Sequence, residues 1–155
     1  MAIPDIELAG TIRFAMKATR ELDPSDFHSQ KNAVAKLGVE LGHEVARSLG
    51  RREKKDVYAE LASFWLESGL GSIALIQSDP VVIKLSGCLD CNTSRMSDAA
   101  VPCTLKRSLL ETIFQDSLGT AVNLHESECC RSGGNGCVFR LKIGQKARLS
   151  TLRVR

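Results

Sequence analysis

Apolar positions along the chain fall into blocks of different spacing. Val34, Leu37, Leu41, Val45 and Leu49 recur every three or four residues, the spacing that lines one helical face, and Gly50 stands where a C-terminal cap belongs. Asp23-Pro24-Ser25-Asp26 supplies turn and helix-start chemistry ahead of that stripe. Beyond a charged connector, Arg51 to Lys55, a second helix carries Val57, Leu61, Phe64, Trp65 and Ser68 on one side, with Gly69 after it. Nearer the start, Ile12, Phe14 and Met16 alternate with Arg13, Ala15 and Lys17. That period of two predicts a strand there, with a short helix as the alternative.

After Gly69 the texture becomes β-rich. Ser72 to Gln77 and Val81 to Ser86 flank Ser78-Asp79-Pro80 and predict a hairpin. Asp98 to Pro102 introduces a third helix, with Leu105, Leu109, Ile113 and Phe114 as its apolar stripe and Gly119 at its end. Two more strands are predicted, Ala121 to Glu126 and Val138 to Ile143, the second alternating apolar with basic residues as a half-exposed strand should. The expected fold class is α+β: N-terminal helices, then a β-hairpin, a helix and a second hairpin, giving an antiparallel sheet of about four strands packed by helices.

A chain of 155 residues is one domain's worth. Residues 1–145 are expected to form that domain, with 146–155 as a basic tail. Arg140, Lys142, Lys146, Arg148, Arg153 and Arg155 carry six positive charges with no acidic residue among them, and removing these from the overall +3 leaves the body at −3. The body is therefore not a basic nucleic-acid module, and a solvated basic end is the expected reading of the tail. No apolar run approaches a membrane span, and the start, Met-Ala-Ile-Pro-Asp-Ile-Glu, lacks the apolar core of a secretory signal. A cytoplasmic address without membrane association is expected.

That address decides how to read the six cysteines, Cys88, Cys91, Cys103, Cys129, Cys130 and Cys137, all in the second half of the chain. In the cytosol clustered thiols hold metal or do redox chemistry more often than they form disulfides. The sharpest signal is Glu126-Ser-Glu-Cys129-Cys-Arg-Ser-Gly-Gly-Asn-Gly-Cys137. Two thiols flank a glycine-rich turn between predicted strands, so a tight loop can bring both sulfurs to one ion. Zinc, tetrahedral and partial to thiolate, suits them, and Glu126 is close enough in sequence to add a carboxylate. Cys88-Leu-Asp-Cys91 is a second candidate. Joined to Cys129 and Cys137 it would make an all-cysteine site for zinc or an iron–sulfur cluster, and alone it can act as a redox pair.

The same residues resemble the 4-vinyl reductase domain family. Its C-terminal signature is a Glu, a Cys three residues later, a Gly four further on and a second Cys, which Glu126, Cys129, Gly133 and Cys137 reproduce, followed by the aromatic Phe139. Cys103, in Val-Pro-Cys-Thr-Leu-Lys, fits the family's upstream cysteine at a helix start, and Leu37-Gly-Val-Glu-Leu-Gly42 echoes a Leu-Gly phrase of its N-terminal helix. The resemblance covers about residues 30 to 143. It implies a zinc site of Cys103, Glu126, Cys129 and Cys137, as in the related sensor domains of phenol-responsive activators. It also implies a fold shared with TRAPP subunits, a homodimer, and a pocket for a small hydrophobic molecule.

Tyr58, Phe64 and Trp65 are the pocket candidates, a Trp beside an apolar wall suiting a flat ligand, although core packing explains them as well. His28, His43 and His125 are expected to be hydrogen-bonded structural histidines, His125 lying on the sheet face opposite Glu126. No catalytic triad spacing and no nicotinamide, flavin or phosphate-loop fingerprint is present. The expectation is a zinc-stabilised ligand-binding or sensor module rather than an enzyme, with a protein partner as a further prospect. The alternatives are an accessory or enzymatic role in reducing a tetrapyrrole vinyl group, and a cysteine-based redox or iron–sulfur sensor.

Overall fold

The computed structural model describes residues 6–22, 24–50, 54–78, 80–87, 104–128 and 136–144. Four helices and four strands follow in the order α1 (Ile6–Arg20), α2 (Pro24–Leu49), α3 (Lys54–Glu67), β1 (Ser72–Ser78), β2 (Val81–Ser86), α4 (Thr104–Leu118), β3 (Val122–Glu128) and β4 (Cys137–Ile143). The fold is α+β, as the alternation of helical and strand periods predicts. Helix ends fall where glycines offer a left-handed conformation without a Cβ penalty: Gly50, Gly69 and Gly119 have φ of 72°, 72° and 67°.

The segment around Ile12 corrects the strand expectation, because it is helix α1. Ile12 and Met16, four residues apart, are both buried, whereas Phe14 between them is 75% exposed. A strand would have put all three on one face; a helical turn separates Phe14 from the other two. Arg13, on the same helix, donates from Nη1 to the Ser68 carbonyl at 2.5 Å and so ties α1 to the C-terminal end of α3.

The Leu-Gly phrase acquires a physical meaning in α2. Gly38 and Gly42, one turn apart, face α4, and a Cβ on Gly38 would stand 2.7 Å from the Leu105 carbonyl oxygen. The two backbones can approach this closely only because neither position carries a side chain. From α4, Leu105, Leu109, Leu110, Ile113 and Phe114 turn into the core, all fully buried.

The sheet is antiparallel throughout, in the order β1-β2-β4-β3. The chain leaves β2, returns through α4, forms β3 at the far edge, and inserts β4 between β2 and β3. Val81, Ile83 and Leu85 on β2, Cys137, Phe139 and Leu141 on β4, and Val122 and Leu124 on β3 are buried on the helix-facing side. Arg140 and Lys142 alternate outward. The Leu124 N–H also donates to Glu111 Oε2 at 3.0 Å, tying β3 to α4.

Candidate functional site

Two of the expected metal ligands are described: Glu126, near the end of β3, and Cys137, at the start of β4. Cys137 opens β4, is fully buried, and faces the helices with Leu85 of β2 as its cross-strand neighbour. Gly136 sets that entry. A Cβ there would stand 2.2 Å from the Leu85 carbonyl oxygen, so only glycine lets β4 begin this close to β2. Glu126 is half-buried on β3 and directly opposite Phe139, which places it on the same sheet face as Cys137. Diagonal positions on neighbouring strands of one face are typically about 7–8 Å apart, within reach of a long side chain.

Helix α4 reaches the same corner. Lys106, its third residue, is fully buried, and its Nζ donates to Cys137 Sγ at 3.4 Å. Sequence reading missed this residue. The signal was available, since Lys106 precedes Leu109, Leu110 and Ile113 by three, four and seven residues and so falls within the apolar stripe. A charged residue on a buried stripe calls for a partner. Nothing local in the chain identifies Cys137 as that partner.

Of the expected ligands, Glu126 and Cys137 are therefore brought to one corner. Cys103 and Cys129 lie outside the described residues, as do Cys88 and Cys91. Among the described residues no three His, Cys, Asp or Glu side chains group to hold a metal.

The pocket candidates are packed differently from one another. Phe64 and Trp65 belong to the continuous core, and Tyr58 lies at its margin with its ring tilted 52° to Phe114, centroids 5.4 Å apart. The Tyr58 hydroxyl is buried with no hydrogen-bond partner among the described residues, and burial pushes its pKa up from 10.0 to about 12. A separate cleft of about 270 Å³ opens between α2 and α4, its lining mixed: Val39 beside His43, Ser108, Glu111, Gln115 and Asp116. In it His43 Nδ1 donates to Asp116 Oδ2 at 2.5 Å, the hydrogen-bonded structural role expected of that histidine. His125 is exposed and opposite Arg140, on the sheet face away from Glu126, as its register predicts. The His28 side chain is not described. No helix among the described residues is long and apolar enough to cross a membrane.

Comparison with known proteins gives a consistent picture of the fold. No family model matches the chain. The crystal structure of a vinyl-4-reductase family protein from Methanocaldococcus jannaschii superposes with a TM-score of 0.56 at 16% identity, covering 94% of this chain and 99% of that one. The chain thus has the fold that the 4-vinyl reductase resemblance implied. Among curated proteins, the uncharacterized proteins MJ0745 and MJ1642 of the same organism are 22% and 24% identical over 104 and 103 residues. A third, MJ0150, is 23% identical over 114 residues. The matches cover 67%, 66% and 73% of this chain but only 54%, 60% and 65% of those relatives.

Proposed function

We propose that this chain is a 4-vinyl-reductase-type domain that binds a small hydrophobic molecule, and that zinc held by Cys103, Glu126, Cys129 and Cys137 clamps its second hairpin to α4. The observation that carries the reading is the Lys106–Cys137 contact, which joins the start of α4 to the start of β4, with Glu126 of β3 on the same sheet face as Cys137. The remaining two ligands adjoin the same elements in sequence. Cys103 is bonded to Thr104, the first residue of α4, and Cys129 to Glu128, whose strand partner is Val138. Adjacent Cα atoms are about 3.8 Å apart.

The donor set suits the ion. Three thiolates and a carboxylate match zinc's tetrahedral preference, and with all four positions taken by protein the metal is structural rather than catalytic. Zinc would supply stability, because ligands recruited from three elements come together only in the folded state. A homodimer belongs to the same proposal, with the exposed Phe14 of α1 as apolar surface in its favour.

Native mass spectrometry of the purified chain tests the reading. It is expected to report one zinc per subunit, a dimer and a co-purified small molecule, from a colourless protein. Chelation, or Cys129→Ser, is expected to lower Tm sharply. A chain without metal, or one whose Tm is unchanged by its removal, overturns the zinc clamp, and visible absorption with bound iron replaces it with the iron–sulfur alternative.

A further inference from the structure

The outward face of α1 carries features that the subunit's own packing does not explain. Ala9, Ile12, Ala15, Met16 and Thr19 turn into the core. On the opposite side Glu7, Gly10, Phe14 and Lys17 follow at spacings of three, four and three, which keeps them on one face of the helix. Phe14 is 75% exposed, and Ile6, beside that row, is 81% exposed. Gly10 weakens the middle of a helix. Nothing in the subunit requires it, since an added Cβ would meet only an Arg13 side-chain nitrogen, at 3.8 Å. An exposed aromatic ring and an unneeded glycine one turn apart share an explanation if the ring of one chain sits over the glycine of another.

The row is a palindrome in chemical type: acid, notch, ring, base. Its centre lies midway between Gly10 and Phe14. A two-fold axis there makes two antiparallel copies of α1 put Phe14 over the partner's Gly10, and Glu7 opposite the partner's Lys17, each contact occurring twice. Glu7 lies in the first turn of α1 and Lys17 in the last. The ion pairs therefore form where opposite ends of two helix dipoles meet. Lys17 is exposed. Glu7 also interacts within its own chain, and a carboxylate has acceptor sites for more than one donor. A parallel pair would oppose acid to acid and base to base, so the charges select the antiparallel one. We infer that α1 is a homodimer interface: two copies of the chain pack α1 against α1, antiparallel and centred between Gly10 and Phe14. The inference rests on the homodimer proposed above, names the surface and register that build it, and needs no metal. One helix per subunit is a small interface, so the dissociation constant is expected to be on the order of micromolar.

Sedimentation velocity of the full chain over a concentration series tests it. Phe14→Ser is expected to weaken the dimer by about tenfold or more, because the substitution removes two rings from the seam. Glu7→Lys and Lys17→Glu, each made alone, oppose like charges at both ends and should weaken it by about 3–30-fold. The double variant, with the charges exchanged, should return to within about threefold of wild type. Mixed together, the two single variants should form heterodimers in preference to either homodimer, since both pairs are then of opposite sign. Gly10→Ala should dimerise less tightly, because the methyl lifts the ring from the seam. Its unfolding at dilutions where the chain is monomeric reads only the gain in helix propensity. All these positions lie on the outward face, so the variants are expected to fold, with circular dichroism as the check. A dimer of unchanged affinity in Phe14→Ser and in both single reversals, or one that the charge exchange does not rescue, overturns the α1 interface and leaves the dimer to another surface. Wild type that stays monomeric throughout overturns the homodimer itself, so the two failures are distinguishable.

Discussion

Gly42 on α2 lies so close to Thr112 on α4 that a Cβ added to it would stand 2.6 Å from the Thr112 Cβ and 2.8 Å from the Leu109 carbonyl oxygen. No rotamer change relieves a clash with backbone. Alanine at this position gains about 1 kcal/mol in helix propensity. Overpacking a close contact typically costs about 1–3 kcal/mol. Gly42→Ala is therefore expected to be destabilised on balance, by denaturant unfolding. Gly10 of α1 is the control: its added Cβ meets nothing nearer than an Arg13 side-chain nitrogen at 3.8 Å. Gly10→Ala should gain about 0.5–1 kcal/mol. If both substitutions stabilise, the tight α2–α4 seam is refuted.

Tyr58 predicts a loss of stability in alkali. Desolvation raises its folded-state pKa from 10.0 to about 12. Between those values the unfolded chain has released the phenolic proton and the folded chain has kept it, so stability falls as pH rises through that window and is intact below it. Tyr58→Phe removes both the titration and a buried hydroxyl that has no partner among the described residues. It should be at least as stable as wild type at neutral pH and decline less steeply from pH 10 to 12. A steep decline that persists in the variant assigns the alkaline loss to another group.

His43 and Asp116 join α2 to α4 across the cleft, yet their side chains remain 44% and 38% exposed. Exposed pairs of this kind contribute about 0.2–1 kcal/mol. A double-mutant cycle with His43→Ala and Asp116→Ala should give a coupling energy in that range. A coupling of several kcal/mol would mean that the pair organises the seam, which the glycine contacts are argued to do.

Much of this architecture was legible from neighbouring residues. Gly50, Gly69 and Gly119 were readable as helix ends because a Cβ-free residue after an apolar stripe is a local signal, and all three have positive φ. Ser78-Asp79-Pro80 was readable as a turn, and β1 and β2 pair across it from Ser78 with Val81 to Ser72 with Ser86. The expectation at Ile12, Phe14 and Met16 failed because three alternating apolar residues also fit a helix. What separates the two is the solvent at Phe14, and solvent exposure is a property of the assembled fold.

The candidate centre divides the same way. Cysteine type, the glycine-rich turn and the resemblance single out Glu126 and Cys137 from the sequence, because donor chemistry and short spacing are written in adjacent positions. Three features required the tertiary structure: the insertion of β4 between β2 and β3, the close approach of α2 to α4 through Gly38 and Gly42, and the contact of Lys106 with a sulfur 31 residues away. Each is a pairing between distant segments. Its energy depends on how the segments close on one another, so periodicity within one segment reveals only that a partner is needed, and packing selects which partner it is.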